Sequence, residues 1–245
     1  NIFHIINYVE NILNNSFPEK NIIKILEDKN YFKEKLMQEK FVEIQKKIKN
    51  SNVIKKYFKN LLINLGFEIE KTFTDQICLR YNPGLKNENV GNLKLTPAHR
   101  DTWASNLFEQ INWWFPLHDI IDENSIYICP KYFNKFVKNN SSDWSFDDFL
   151  KNKKNYSSTP ISEKDFKKKD KILIKVKKGD LIFFSGHHIH GSSAGIINRI
   201  NIENRTISLG DKKFNIPQNL DGMVKDIKTI WFKNLKNGRN LKKVY

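Results

Sequence analysis

The spacing of apolar residues changes at Gly66, and this change constrains the fold of the 245-residue chain more than any other feature of its sequence. Before Gly66, apolar residues recur every three or four positions, which predicts helices over 1–66. Beyond it, shorter apolar runs end at turn residues such as Asn82-Pro83-Gly84, which is typical of strands. We therefore predict an α+β chain whose strands form a two-sheet sandwich or barrel.

The order of these segments predicts a helical N-terminal segment, 1–66, packed on a core domain over 67–245. Within the core domain the sequence predicts strands over 73–81, 110–117, 125–129, 172–176, 181–185 and 205–209. The Lys-, Asn- and Ser-rich stretch 131–171 is interpreted as a long insertion with two short helical patches. Apolar spacing over 217–235 predicts a C-terminal helix.

The composition favours a folded protein, since 39% of the residues are hydrophobic and 13% are aromatic. No stretch approaches 18 consecutive apolar residues, so we expect no transmembrane helix and no membrane partner. Two cysteines cannot form a disulfide framework, which favours a reducing, cytoplasmic compartment. The first residue is Asn rather than Met, which is typical of a processed or trimmed chain.

The net charge is +15, but only five of the 42 basic residues are Arg. Nucleic-acid binders use Arg for bidentate contacts to base edges and phosphates. The Lys is spread over the whole chain, which favours solvated surfaces over a nucleic-acid interface. The same scarcity means that each Arg calls for its own explanation.

Two short segments hold four of the six histidines. In the first, Thr96-Pro-Ala-His-Arg-Asp-Thr-Trp103, His99 and Asp101 are two positions apart, so that an extended backbone places them on one face. An imidazole and a carboxylate supply two ligands of the 2-His-1-carboxylate site, which binds Fe(II) and leaves positions open for a co-substrate and O₂. A surface His beside an Arg-Asp pair would give the same short pattern.

The second segment is an apolar strand that ends in Gly186-His-His-Ile-His-Gly-Ser192. If strand alternation continues through it, His188 and His190 share one face and His187 points to the other. Small residues follow His190 and leave room for a ligand near the backbone. We therefore predict that His190 is the third ligand and that His188 lines the pocket or bonds to a ligand, while all three histidines stay candidates.

Arg205 is the predicted anchor of a dicarboxylate co-substrate. If the chain turns near 197–198 and returns, Arg205 lies beside His190, and its planar guanidinium matches a carboxylate. Arg199 is a rival, but it falls in the inferred loop.

Together these motifs resemble the Fe(II)/2-oxoglutarate-dependent dioxygenases, with the greatest likeness to the phytanoyl-CoA hydroxylase-like branch. The matching pieces, spread over about residues 75–210, are His99-x-Asp101, Asn112-Trp-Trp-Phe-Pro-Leu117, Glu123-Asn-Ser125, Cys129-Pro130, Gly179-Asp180, His190-Gly-Ser192 and Arg205-Thr-Ile-Ser208. The resemblance implies a double-stranded β-helix, or jelly roll, flanked by helices. It also implies an enzyme that uses Fe(II), 2-oxoglutarate and O₂ and releases succinate and CO₂.

The resemblance implies a role for each residue of the site. Metal binding is expected of His99, Asp101 and His190, and co-substrate binding of Arg205 and Ser192, with Gln110 or Asn112 in the same pocket. The candidates for the substrate pocket are Tyr81, Trp103, Trp114 and His188. Related halogenases replace the carboxylate ligand with a small residue, so Asp101 favours hydroxylation or desaturation.

The sequence does not name the substrate, and we expect a small polar metabolite, a sugar or a natural-product intermediate. The basic charge mildly favours an anionic one. Two other functions stay open. A cupin-like metal- or sugar-binding protein would keep the histidines but would not need Arg205. A nucleic-acid demethylase would fit the positive charge, but the distinctive pair of Arg residues after the distal His is not recognisable here.

Overall fold

The computed structural model describes residues 2–17, 22–28, 30, 34–84, 95–152, 156–193, 195–210, 221–222, 224 and 231–241. The helices in these ranges are α1 (Ile2–Ser16), α2 (Ile22–Glu27), α3 (Lys35–Asn50), α4 (Asn52–Asn64), α5 (Thr102–Ser105) and α6 (Phe146–Lys151). Helix α4 begins where Ser51 Oγ accepts a hydrogen bond from the Ile54 amide, and it ends before Gly66, whose φ is +86°. In this part of the chain, none of the helices has the length and apolar character needed to cross a bilayer.

Two antiparallel sheets form the strand part of the protein. Their strands are β1 (Thr72–Thr74), β2 (Cys78–Asn82), β3 (Ile111–Pro116), β4 (Ile126–Ile128), β5 (Ile172–Leu173), β6 (Ile182–Ser185), β7 (His190–Ser192), β8 (Arg199–Ser208) and β9 (Lys233–Asn234). The larger sheet has the order β6-β3-β8-β1-β9, with β2 also paired to β8, and the smaller sheet has the order β5-β4-β7. Helices flanking two antiparallel sheets confirm the predicted α+β class with a jelly-roll core.

The larger sheet uses its two faces differently, because side chains alternate along each strand. On β3, Trp113 and Phe115 belong to a core cluster that includes helix residues such as Phe58. Their neighbours Asn112 and Trp114 line a cavity on the other face. Helices α1 to α4 therefore cover one face of this sheet, and the cavity lies on the other.

Three local expectations differ from the structure. The single strand expected over 73–81 is interrupted, and β1 and β2 pair with successive stretches of β8. The strand expected over 205–209 begins at Arg199, so that Arg199 is a strand residue rather than a loop residue. Strands β7 and β8 lie in different sheets, so they do not pair across the turn expected near 197–198. Pairing with β2 extends β8, and strand pairing over long separations leaves no local signal.

The predicted C-terminal helix over 217–235 falls largely outside the described residues, which here are 221–222, 224 and 231–241. The described end of that range is not helical, because it contains a turn and β9, which pairs with β1. The insertion 131–171 contains α6 and the 3-10 turn Lys168–Asp170, and the 3-10 turn Pro130–Tyr132 overlaps its start.

Candidate metal centre

Backbone hydrogen bonds join the two His-containing segments. The amide of His99 donates to the carbonyl of His190 at 2.9 Å, and the amide of His190 donates to the carbonyl of His99 at 3.0 Å. The amide of Asp101 donates to the carbonyl of Gly186 at 2.9 Å. The backbone of one segment therefore positions the ligand candidates of the other.

The side chains of His99, Asp101 and His190 converge at one point. Each offers one nitrogen or oxygen atom, and these three atoms lie within 4.8 Å of one another. Asp101 Oδ1 is 3.5 Å from His99 Nε2, and Asp101 Oδ2 is 3.7 Å from His190 Nε2. Among the described residues, this is the one group of His, Cys, Asp and Glu side chains close enough to share a metal ion.

Hydrogen bonds fix which ring nitrogen of each histidine faces the carboxylate. His99 Nδ1 donates to the Pro97 carbonyl at 2.9 Å, and His190 Nδ1 donates to the His188 carbonyl at 2.9 Å. In the neutral ring, Nε2 therefore keeps its lone pair and points at the shared centre. Burial lowers the pKa of His190 to about 4, which favours this neutral form.

The carboxylate of Asp101 is held in its charged form. Burial alone raises the pKa of Asp101, but the polar and charged groups around it, among them the guanidinium of Arg205, outweigh burial and hold the pKa below its usual range. Asn112 Nδ2 also donates to Asp101 Oδ2 at 2.5 Å. Two unprotonated imidazole nitrogens and one carboxylate are the donor set of a 2-His-1-carboxylate metal site, so these residues fit an iron ion.

A cavity of about 320 Å³ opens beside this centre. It is lined by both sheets and by the insertion: Gln76, Arg80, Asn82, Thr96, His99, Asp101, Asn112, Trp113, Trp114, Ile126, Phe146, Phe149, Ser158, Thr159, Phe184, His190, Gly191, Ser192, Arg199, Glu203, Asn204 and Arg205. This volume lies at the lower end of the range of about 300–1,000 Å³ that is usual for small-molecule sites.

Arg205 lies next to the metal centre. Its Nη1 is 3.6 Å from Asp101 Oδ1, and its Nη2 is 2.5 Å from Asp75 Oδ2. Two carboxylates therefore already balance the charge of Arg205.

Arg199 also lines the cavity, and only 3% of its surface is exposed. Its five N–H groups donate to neutral acceptors: Asn201 Oδ1, the carbonyls of Asn124 and Ser125, Asn82 Oδ1 and Ser192 Oγ. The Arg199 guanidinium lies 5.8 Å from the ring centre of Trp114. Among the described residues no carboxylate lies within ion-pair distance of Arg199. Burial lowers its pKa to about 10, although the charge of Glu203 acts in the opposite direction.

The other residues expected in the co-substrate pocket fall into two groups. Ser192 and Asn112 line the cavity. Gln110 lies one layer behind it, where Nε2 donates to Asn112 Oδ1 at 3.0 Å and Oε1 accepts from Ser105 Oγ at 3.1 Å. Gln110 therefore contacts the site through Asn112.

Of the four substrate-pocket candidates, Trp114 is brought to the cavity and the other three are not. Tyr81 points to the helix face of the larger sheet, since it alternates with Arg80 and Asn82 on β2, and it packs against Phe41. Trp103 is buried in a separate apolar cluster. His188 lies 4.5 Å from the ring of Phe133, because residues 186–188 form a turn rather than continuing the strand.

No family model and no curated protein sequence matches this chain. Similar solved structures include EvdO2 from Micromonospora carbonacea var. aurantiaca complexed with 2-oxoglutarate, with a TM-score of 0.44 and 12% identity over 69% of this chain and 64% of that chain. They also include ThoJ, a non-heme monooxygenase, with a TM-score of 0.41 and 11% identity over 68% of this chain and 55% of that chain. SnoN, the non-heme alpha ketoglutarate dependent epimerase from nogalamycin biosynthesis, aligns with a TM-score of 0.38 and 9% identity over 80% of this chain and 74% of that chain.

These likenesses concern the fold. The chain spans between 55% and 64% of the length of ThoJ and EvdO2. At these identities the likenesses add nothing about the reaction or the substrate, and the phytanoyl-CoA hydroxylase-like branch stays a prediction.

Sequence reasoning missed the contribution of the insertion to the cavity. Phe146 and Phe149, at i and i+3 on α6, share one side of that helix and line the cavity together with Thr159. Their spacing was visible in the sequence, but nothing local indicates that this side faces the metal centre.

Proposed function

We propose that this protein is a non-heme Fe(II) enzyme that uses 2-oxoglutarate and O₂ to oxidise a small molecule. The observation that carries this proposal is the convergence of His99, Asp101 and His190, whose ligand atoms lie within 4.8 Å of one another. Three protein ligands leave coordination positions open for the co-substrate and O₂. When bound, the iron supplies the oxidising chemistry, in which 2-oxoglutarate is converted to succinate and CO₂.

The chain itself orients the ligands and balances their charge. The carbonyls of Pro97 and His188 keep the Nε2 atoms of both histidines unprotonated, and Asn112 holds the carboxylate of Asp101 in place. These contacts come from the chain itself and orient the three ligand side chains. Because Asp101 fills the carboxylate position, hydroxylation or desaturation of the substrate is the proposed outcome.

For the distal carboxylate of 2-oxoglutarate we propose Arg199 as the anchor, ahead of the Arg205 expected from the sequence. A buried cation with only neutral partners is costly, and an anion removes that cost. Arg199 meets this description, while Arg205 is already paired with Asp75 and Asp101. Ser192, two residues after the metal ligand His190 on β7, accepts a hydrogen bond from Arg199 at 3.0 Å.

The experiment measures succinate formed from 2-oxoglutarate by the purified chain with Fe(II) and O₂, together with iron retained after gel filtration. Anaerobic Fe(II) plus 2-oxoglutarate should give the weak visible charge-transfer band of a chelated iron. We expect His99→Ala, Asp101→Ala and His190→Ala each to lose iron, band and succinate, because two ligands hold a ferrous ion poorly.

His188→Ala is the matched control, since His188 lies in the same segment but outside the cavity. It should retain iron. Iron bound without any succinate from 2-oxoglutarate would instead identify a metal-binding protein without oxygenase activity. Loss of iron in His188→Ala with retention in His190→Ala would overturn the ligand assignment.

A further inference from the structure

The cavity has a charged side and an apolar side. Strands β2 and β8 contribute Arg80, Glu203 and Arg205, and the insertion contributes Phe146, Phe149 and Thr159. The proposed function uses the metal triad and Arg199, and it leaves these two sides without a role.

On the charged side every ionic group already has an opposite partner. Arg80 Nε is 2.6 Å from Glu203 Oε1, and Arg205 Nη2 is 2.5 Å from Asp75 Oδ2. An anionic substrate group placed here would approach the carboxylates, and a cationic group would approach the guanidinium groups. A hydroxyl group suits both members of each pair, because it donates to a carboxylate and accepts from an arginine.

On the apolar side two aromatic rings lie next to each other. The ring centres of Phe146 and Phe149 are 6.1 Å apart, and Phe146 is supported from behind by Trp231 at 5.3 Å. Both phenylalanines line the cavity and are half-buried. Such a surface suits the C–H face of a ring rather than its hydroxyl edge.

A polar atom on the same side lacks a partner. Thr159 is only 8% exposed, and its Oγ1 has no hydrogen-bond partner among the described residues. Buried side-chain hydroxyls are nearly always hydrogen-bonded. Because Thr159 lines the cavity, a ligand hydroxyl group can supply the missing bond.

We propose that the substrate presents a neutral, polyhydroxylated ring, such as a sugar ring, to this part of the cavity. Its hydroxyl edge contacts the Arg80–Glu203 and Arg205–Asp75 pairs, its C–H face lies against Phe146 and Phe149, and one hydroxyl bonds to Thr159. This assignment rests on the proposed function for the identity of the site, and it replaces the anionic substrate that the basic charge favours.

The test measures binding rather than turnover. Saturation-transfer NMR compares the methyl glycosides of glucose, galactose and mannose with their 6-phosphates and their 6-amino-6-deoxy analogues, using the chain loaded with Zn(II) and 2-oxoglutarate. We expect at least one neutral glycoside to bind about fivefold more tightly than its charged analogues. Phe149→Ala and Thr159→Val should each weaken that binding about fivefold.

Two variants serve as controls. Phe136→Ala removes a phenylalanine of the same insertion that is 63% exposed and does not line the cavity, and it should leave the affinity unchanged. Thr159→Ser keeps the hydroxyl group and should bind nearly as well as the unaltered chain. Thermal unfolding of every variant shows that a lost affinity is not a lost fold.

Three results would overturn the assignment: no neutral glycoside binds, a charged analogue binds more tightly, or Phe149→Ala and Thr159→Val bind as well as Phe136→Ala. Succinate formation combined with any of these results would leave the proposed function standing. Glycoside binding without succinate formation would support the proposed ligand class and exclude the proposed oxygenase reaction.

Discussion

Arginine occupies only five positions of this chain, and four of these residues make ionic or buried contacts around the site. Arg80, Arg100 and Arg205 are paired with Glu203, Asp221 and Asp75 respectively, Arg199 is buried among neutral acceptors, and Arg239 is exposed. Lysine dominates elsewhere. At Arg100 and Arg199 several hydrogen bonds leave one planar group, which a lysine ammonium cannot reproduce.

At the scale of single residues, we predict that Arg199→Met weakens 2-oxoglutarate binding by at least about tenfold, equivalent to about 1.4 kcal/mol. The physical reason is that the variant removes a buried charge that has no carboxylate partner among the described residues. Titration of the anaerobic charge-transfer band measures the affinity, and Arg239→Met is the exposed control.

If the Met variant folds poorly, Arg199→Lys is the second test. Lysine keeps the charge but cannot serve five acceptors, so this variant separates the effect of the charge from that of the hydrogen bonds. Arg205→Met is expected to change the affinity for 2-oxoglutarate less than Arg199→Met does. A larger loss in Arg205→Met would return the anchor to the residue that the sequence favours.

At the scale of elements, Arg100 ties the first ligand segment to the insertion. Its side chain is fully buried and donates to the carbonyls of Tyr132, Phe133 and Lys135. Arg100 Nε lies 3.0 Å from Asp221 Oδ2, while Asp221 Oδ1 accepts from the Val137 amide at 2.8 Å. The residue between two ligand candidates therefore also positions the start of the segment that supplies Phe146 and Phe149.

We predict that Arg100→Met destabilises the protein by about 3–5 kcal/mol, because it leaves the carboxylate of Asp221 buried without its cation. Chemical denaturation measures the free energy of unfolding, with Arg239→Met as the control. Hydrogen exchange should also show faster exchange of the Val137 amide. Unchanged exchange at Val137 would mean that the ion pair does not hold this segment.

At the scale of the whole molecule, buried histidines link stability to pH. Burial, followed by the charge of Arg100, lowers the pKa of His187 to about 3, and burial lowers the pKa of His118 to about 4. His187 Nε2 accepts from Arg100, and His118 Nε2 accepts from the Ile200 amide at 3.1 Å, so both rings must be neutral in the folded chain. Protonation of either ring would remove an acceptor.

We predict that the metal-free protein loses stability as the pH falls from about 6.5 towards 4. The unfolded chain has histidine pKa values near about 6.5 and binds these protons first, so that stability falls with decreasing pH. Each histidine contributes at most about 1.4 kcal/mol per pH unit in this window.

Denaturation at pH 7.5 and at pH 5 measures the difference. His118→Gln keeps an acceptor for the Ile200 amide but cannot be protonated in this range, so it should show a smaller loss than the unaltered chain. An equal or larger loss in this variant would exclude His118 as a source of the pH dependence.

The sequence by itself determined the features that depend on local pattern. Apolar residues with helical spacing mark α1, α3 and α4, and Gly66 marks the end of α4. The His99-x-Asp101 spacing and the small residues after His190 indicated three side chains that the structure brings together. These features are readable because side-chain direction follows from backbone periodicity.

Only the tertiary structure decided which segments meet. The acceptors around Arg199 come from residues 82, 124–125, 192 and 201, and no spacing along the chain predicts that they surround one side chain. Nor does it predict that β7 and β8 lie in different sheets, or that α6 faces the metal centre. Local periodicity determines which face of an element is apolar, but long-range pairing and packing determine what that face contacts.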